Sequence, residues 1–171
     1  MPSQTPRGLP YPLPTDPVSH GADDIRRLAE AVDALRAELA YTEHVAAVNL
    51  SGNDESTGAN IVLGPAIALD GSPVLLEYFA PLIVTEAGSG ARVSLCFLMD
   101  NASIGIAAQI RNETSVQAEK PVTIRRRFTP PAGSHAFGVR GWSSGGVPGV
   151  VYAGAGGSGA YMPGFLRVSR L

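Results

Sequence analysis

A chain of 171 residues has room for one core-bearing domain with appendages, and not for two ordinary domains. Apolar residues supply 44% of it and charged ones only 16%, while 20 glycines and 14 prolines point to many short strands joined by tight turns. A net charge of −2 creates no field that gathers phosphate polyanions, which argues against nucleic acid as a partner, although Arg125, Arg126 and Arg127 form one local basic run.

Residues 1–20 hold six prolines, Pro2, Pro6, Pro10, Pro12, Pro14 and Pro17. Each fixes φ and lacks an N–H, so the segment is expected to be extended, neither helix nor central strand. It reads as an anchoring arm that lies along a neighbouring protein through Leu9, Tyr11, Leu13 and Val18. The N-terminus has no apolar run of signal-peptide type, and no later stretch is long and apolar enough to cross a bilayer. The expectation is a chain made in the cytosol, without membrane insertion.

From residue 21 to 42 the pattern turns helical, with Asp23 and Asp24 in the first turn, where the macrodipole favours acids. Ile25, Leu28, Val32, Leu35 and Leu39 follow at spacings of 3, 4, 3 and 4, the a/d register of a coiled coil. The same stripe fits an amphipathic helix packed on its own domain. Its narrowness, the polar residues Arg26, Arg27, Glu30, Asp33 and Arg36 on the other faces, and its place between an arm and a body favour a homo-oligomeric seam.

Residues 43–171 lose the helical period and read as strands over 45–50, 61–69, 74–85, 92–99, 103–111, 122–128, 135–142, 150–153 and 165–171. Turn chemistry separates them: Gly52-Asn53-Asp54, Asp70-Gly71-Ser72-Pro73, Ala87-Gly88-Ser89-Gly90, Asp100-Asn101, the stretch from Thr129 to Gly133, and Ser143-Ser144-Gly145-Gly146. No helix-length segment interrupts them to suggest a βαβ unit. The fold expected is mainly β, an antiparallel β-sandwich of jelly-roll type carrying the arm and the short helix.

Two stretches carry a resemblance. Pro10-Tyr11-Pro12, Thr15-Asp16-Pro17-Val18, Gly21-Ala22-Asp23-Asp24-Ile25 and the run from Leu28 to Asp33 resemble the start of small minor tail, fibre or head-decoration proteins of phages infecting actinobacteria. The body, with Thr129-Pro130-Pro131-Ala132-Gly133-Ser134-His135-Ala136-Phe137 linking two strands and a last strand from Phe165 to Leu171, is similar to the trimeric jelly rolls of the C1q and tumour-necrosis-factor type. The resemblance implies a homotrimer with its C-terminal strand near the threefold axis. It supplies no catalytic residues.

Motifs for chemistry are weak. The run from Gly154 to Gly159 lacks the Gly-Lys-Ser/Thr ending of a phosphate loop and reads as a surface loop. His20, His44 and His135 lack zinc spacing, Cys96 lies alone in an apolar run, and Asn53, Asp54 and Glu55 read as turn residues before they read as calcium ligands. Ser94, Ser134 and Ser158 sit in no nucleophile elbow, and Glu77, Glu86 and Asp100 are more simply strand-edge or turn acids than a glycosidase pair. No catalytic residue, metal or cofactor is expected. Arg125 and Arg127 should share one strand face and Arg126 the other, with pairing to carboxylates as their use. Trp142, Tyr152 and Tyr161 flank glycine-rich loops and are either core residues or contacts for a ligand such as a glycan.

The function these readings favour is a non-enzymatic homotrimeric structural protein of a bacteriophage virion, bound to other virion proteins by its arm. A tail or fibre component and a capsid decoration or head fibre both fit. Alternatives are a C1q-like cellular binding module, or an adhesin knob for a host receptor or glycan.

Overall fold

A computed structural model describes residues 3–4, 10–11, 21–35, 38–52, 54–144 and 148–171. Two short strands, β1 (Ser3–Gln4) and β2 (Pro10–Tyr11), pair antiparallel, and the helix α1 (Gly21–Leu35) lies against β2. Leu9, Leu13 and Val18 lie outside the described residues, and for Tyr11 and Leu35 only the placement on β2 and at the end of α1 is described. No helix among the described residues is long and apolar enough to cross a membrane.

The helix is shorter than its apolar spacing predicts. It ends at Leu35, and by residue 38 the chain has entered β3 (Glu38–His44). Leu39 is therefore no seam residue: it packs against the sandwich core, and the body begins at 38, not 43. Pairing explains the change. Ala40, Tyr41 and Thr42 lie opposite Val168, Arg167 and Leu166 of the last strand, and those ladder bonds together with core burial outweigh a helical spacing that Leu39 satisfies only by coincidence.

The remaining strands are β4 (Val48–Leu50), β5 (Ala59–Asp70), β6 (Val74–Val84), β7 (Arg92–Met99), β8 (Ala102–Arg111), β9 (Glu119–Phe128), β10 (Ala132–Ser144), β11 (Gly149–Tyr152) and β12 (Gly164–Arg170). One sheet runs β5-β10-β7-β8. In the other, β6 is central: β9 borders one side along its length, while β12 and then β11 share the opposite side. Since β3 pairs with β12 and β4 with β11, β3 and β4 make up one interrupted strand, and β11 and β12 another. With each couple counted once, the sheets read first-eighth-third-sixth and second-seventh-fourth-fifth, which is the double Greek key of a jelly roll.

The core between the sheets is formed by alternate residues of the facing strands, among them Leu76, Tyr78, Ile83, Val93, Leu95, Phe97, Phe137, Val139, Val151 and Leu166. The turns obey the chemistry read from sequence. Asp100 and Asn101 close the β7–β8 hairpin with φ of 52° and 64°, the paired left-handed conformation of a type I′ turn that aspartate and asparagine tolerate. Asp70 Oδ1 accepts the Ser72 amide at 2.9 Å in the β5–β6 turn.

Candidate functional site

The outward face of the sheet centred on β6 is ordered in cross-strand rows. Arg125, Glu77, Arg167 and Tyr41 form one row across β9, β6, β12 and β3; Thr123, Phe79, Phe165 and Glu43 form the next. Glu77 is buried although it points away from the core. Arg125 Nε donates to its Oε1 at 2.6 Å, and Arg167 Nη2 donates to its Oε2. Burial by itself would raise the Glu77 pKa, but the two guanidinium hydrogen bonds outweigh it and hold the carboxyl below its ordinary value. Arg125 and Arg127 oppose Glu77 and Leu75, Arg126 opposes Leu76, and so the basic run divides between faces as alternation requires. In the next row Phe165 stacks on Tyr41 at 5.3 Å and lies 5.6 Å from Phe79, and Tyr41 is 45% exposed.

Further along the same face, β11 takes the place of β12 beside β6. Glu119, Val84 and Val150 form a row there, and Tyr152 lies opposite Leu82. These residues floor a cavity of about 320 Å³ walled by Thr85, Glu86, Gln117, Pro148 and Tyr161. Tyr161 arrives from residues 153–163, which leave the sheet between β11 and β12. That excursion is closed on itself: the Gly154 amide donates to Met162 O at 3.1 Å, Gly156 to Tyr161 O at 3.0 Å, and Ala160 to Gly157 O at 3.2 Å. Gly156, Gly157 and Gly159 take left-handed φ of 79°, 113° and 75°, which is why the run is so rich in glycine. The fold sets Tyr161 5.6 Å from Tyr152, ring to ring.

Trp142 is not part of this group. It is 6% exposed and packs with Cys96 and Leu98, which is the core-packing alternative for this residue and not the ligand contact. Next to it the Ser143 amide donates to Gly52 O at 3.0 Å, and Arg140 Nη1 donates to Glu55 O at 3.4 Å, which draws the β4–β5 connection onto this strand. Cys96 is wholly buried, and burial pushes its thiol pKa up.

The other candidates have local structural partners. Asp54 Oδ1 accepts from the Ser56 hydroxyl at 2.7 Å and from the Ser56 and Thr57 amides, an Asx turn whose hydrogen bonds hold its pKa down. Among the described residues no group of three or more His, Cys, Asp or Glu gathers to hold a metal ion. His135 Nδ1 lies 2.7 Å from Asp100 Oδ2, an acid–base pair, yet the buried Nε2 has no hydrogen-bond partner among the described residues, Ser134 included. Ser94 is buried and accepts from Gln109 Nε2 at 3.2 Å; Ser158 is exposed on the glycine excursion. On α1, Ile25 is 67% and Val32 42% exposed, and Leu28 is half-buried.

No family model matches the chain, and no curated protein sequence matches it. Solved structures do. The carbohydrate-binding module CBM6cm-2 of Cellvibrio mixtus lichenase 5A, in complex with cellotriose, is 13% identical with a TM-score of 0.29, over 79% of this chain and 99% of that one. The C-terminal domain of EclA, a sugar-binding protein, is 16% identical with a TM-score of 0.34, over 73% and 76%. The VP2 protein of infectious bursal disease virus, as derived T=1 particles, is 14% identical with a TM-score of 0.35; the match covers 76% of this chain and 35% of VP2. These likenesses are of β-sandwich architecture, and the jelly-roll assignment rests on the strand order.

Proposed function

We propose that the chain is a non-enzymatic, homotrimeric structural component of a bacteriophage virion, attached through its N-terminal arm and presenting the sandwich. The observation that carries this reading is the exposed apolar stripe of α1. Ile25 and Val32 stand exposed while the helix leans on β2, with no comparable packing on any strand of the sandwich among the described residues. An apolar stripe left in water by its own chain is stabilised by copies of itself.

Charge on the outward sheet supports a ring rather than a twofold pair. The β3 side carries Glu38 and Glu43, and the β9 side carries Arg125 and Arg127, with the aromatic row between. A twofold edge-to-edge contact would set like edges together. Head-to-tail contact sets acid against base and forms a ring where its rotation closes, as in the trimers the sequence resembles.

The test is attachment. A chain lacking residues 1–18 should fold as a sandwich and fail to co-purify with particles that incorporate the full chain. Incorporation of the shortened chain at the full-length level would overturn the anchoring role of the arm.

A further inference from the structure

The cavity beside β11 lies at the end of the sandwich opposite to Glu38, where the body begins. Glu38 pairs with Ser169, and Arg170 pairs with Val74 at the start of β6. The first residue of β3 therefore stands at the start of β6. The cavity is built where β6 finishes and β9 begins, from Val84, Glu86 and Glu119 onward.

Its walls are preorganised. The buried side chain of Asn112 ties both wall loops together, Nδ2 donating to Glu86 O at 2.8 Å and to Val116 O at 2.5 Å. The Thr85 amide donates to Ala118 O at 2.9 Å, and the Ala118 amide returns a bond to Thr85 Oγ1 at 3.2 Å. Fixed walls spare a ligand the entropy of ordering them. Two acidic residues, Glu86 and Glu119, Gln117 and two tyrosines line this frame, with Leu82, Val84 and Val150 on its floor.

Each feature selects a chemistry. Carboxylates accept hydroxyl hydrogens and repel anions, an amide both donates and accepts, and a tyrosine presents an apolar ring face beside a polar tip. Tyr161 is 45% exposed, so a large part of its surface is open. A volume of about 320 Å³ stands at the small end of ligand pockets, the size for one or two sugar rings. We propose that this cavity is a saccharide site for an uncharged pyranoside, its hydroxyls bound by Glu86, Glu119 and Gln117 and its apolar face set on Tyr161. The proposal does not depend on the oligomeric state.

The test is saturation-transfer NMR on the full chain. The probes are the methyl glycosides of glucose, galactose, mannose and N-acetylglucosamine, with glucuronate and N-acetylneuraminate as anionic counterparts. At least one neutral glycoside should receive saturation and neither anion should. Tyr161→Ala and Glu119→Gln, each with a wild-type amide spectrum, should each weaken that binding by about fivefold or more, the loss of one good contact. Absence of transfer to every neutral glycoside would overturn the proposal, as would preference for an anion or unchanged affinity in both variants. Failure here leaves the mass of the assembly untouched, so it is distinguishable from failure of the structural reading.

Discussion

Gly164 opens β12 opposite His44, and the imidazole lies directly over the position a side chain would take. A Cβ built on Gly164 meets Cδ2 and Cε1 of His44 at 2.7 Å and Nε2 closer still, well inside van der Waals contact. The ring has little room to withdraw. Tyr78, wholly buried, holds Nε2 by its hydroxyl at 3.4 Å and stacks at 6.0 Å. Gly164→Ala therefore places a methyl against a rigid ring rather than a flexible chain end. Its cost belongs in the upper half of the overpacking range, about 2–3 kcal/mol. For a chain of this size that lowers the melting temperature by about 4–12 °C. The assay is denaturant unfolding of Gly164→Ala, His44→Ala and the double variant at one protein concentration, so that association does not shift the midpoints. In the His44→Ala background the added methyl should cost less than about 1 kcal/mol, giving a coupling of at least about 1 kcal/mol between the sites. A Gly164→Ala variant as stable as wild type, or one whose cost survives removal of the ring, would refute the reasoning.

Burial of His44 lowers its pKa below the ordinary 6.5, so from 6.5 downward the unfolded chain takes up a proton that the folded chain resists. Stability should be fully present above pH 6.5 and fall as the pH drops toward the folded value; unfolding midpoints measured from pH 7.5 to 5 in wild type and His44→Gln check this, with a shallower slope in the variant. Glu77 has the opposite chemistry with the same direction of loss. Its folded pKa is depressed below 4.5, so the Arg125 and Arg167 bonds stabilise fully above that value and lose their contribution as pH falls through the folded pKa. Glu77→Gln should cost about 1–3 kcal/mol at pH 7, with the difference from wild type shrinking below pH 4; an equal difference at both pH values would mean that the charge is not what matters.

The strands of the body were legible because turn residues with a definite conformational role separate them. Asp100-Asn101 occupies the left-handed pair of a hairpin, and Asp70-Gly71 carries an Asx bond with a glycine at φ 88°. The helix boundary was not legible. Leu39 stands four residues after Leu35, a spacing that serves a helix, and only the partnership of β3 with β12, from the far end of the chain, reveals a strand. The site was half legible. Tyr152 and Tyr161 could be singled out as aromatics beside glycine, but so could Trp142, and nothing local tells that Trp142 lies against Cys96 and Leu98. Glu86, Gln117 and Glu119 form no motif in the sequence. They meet because the jelly roll sets the end of β6 beside the start of β9. The signal available was an acid just beyond one long apolar strand and another at the opening of a second.

The claim on which the structural reading stands is that copies of this chain cover the apolar surfaces it leaves open. Sedimentation velocity of the purified full-length protein at micromolar concentration measures this directly. The account predicts three times the chain mass of 17.7 kDa, reduced when Ile25 and Val32 are both replaced by Asp. A single-chain mass for the unaltered protein would contradict it.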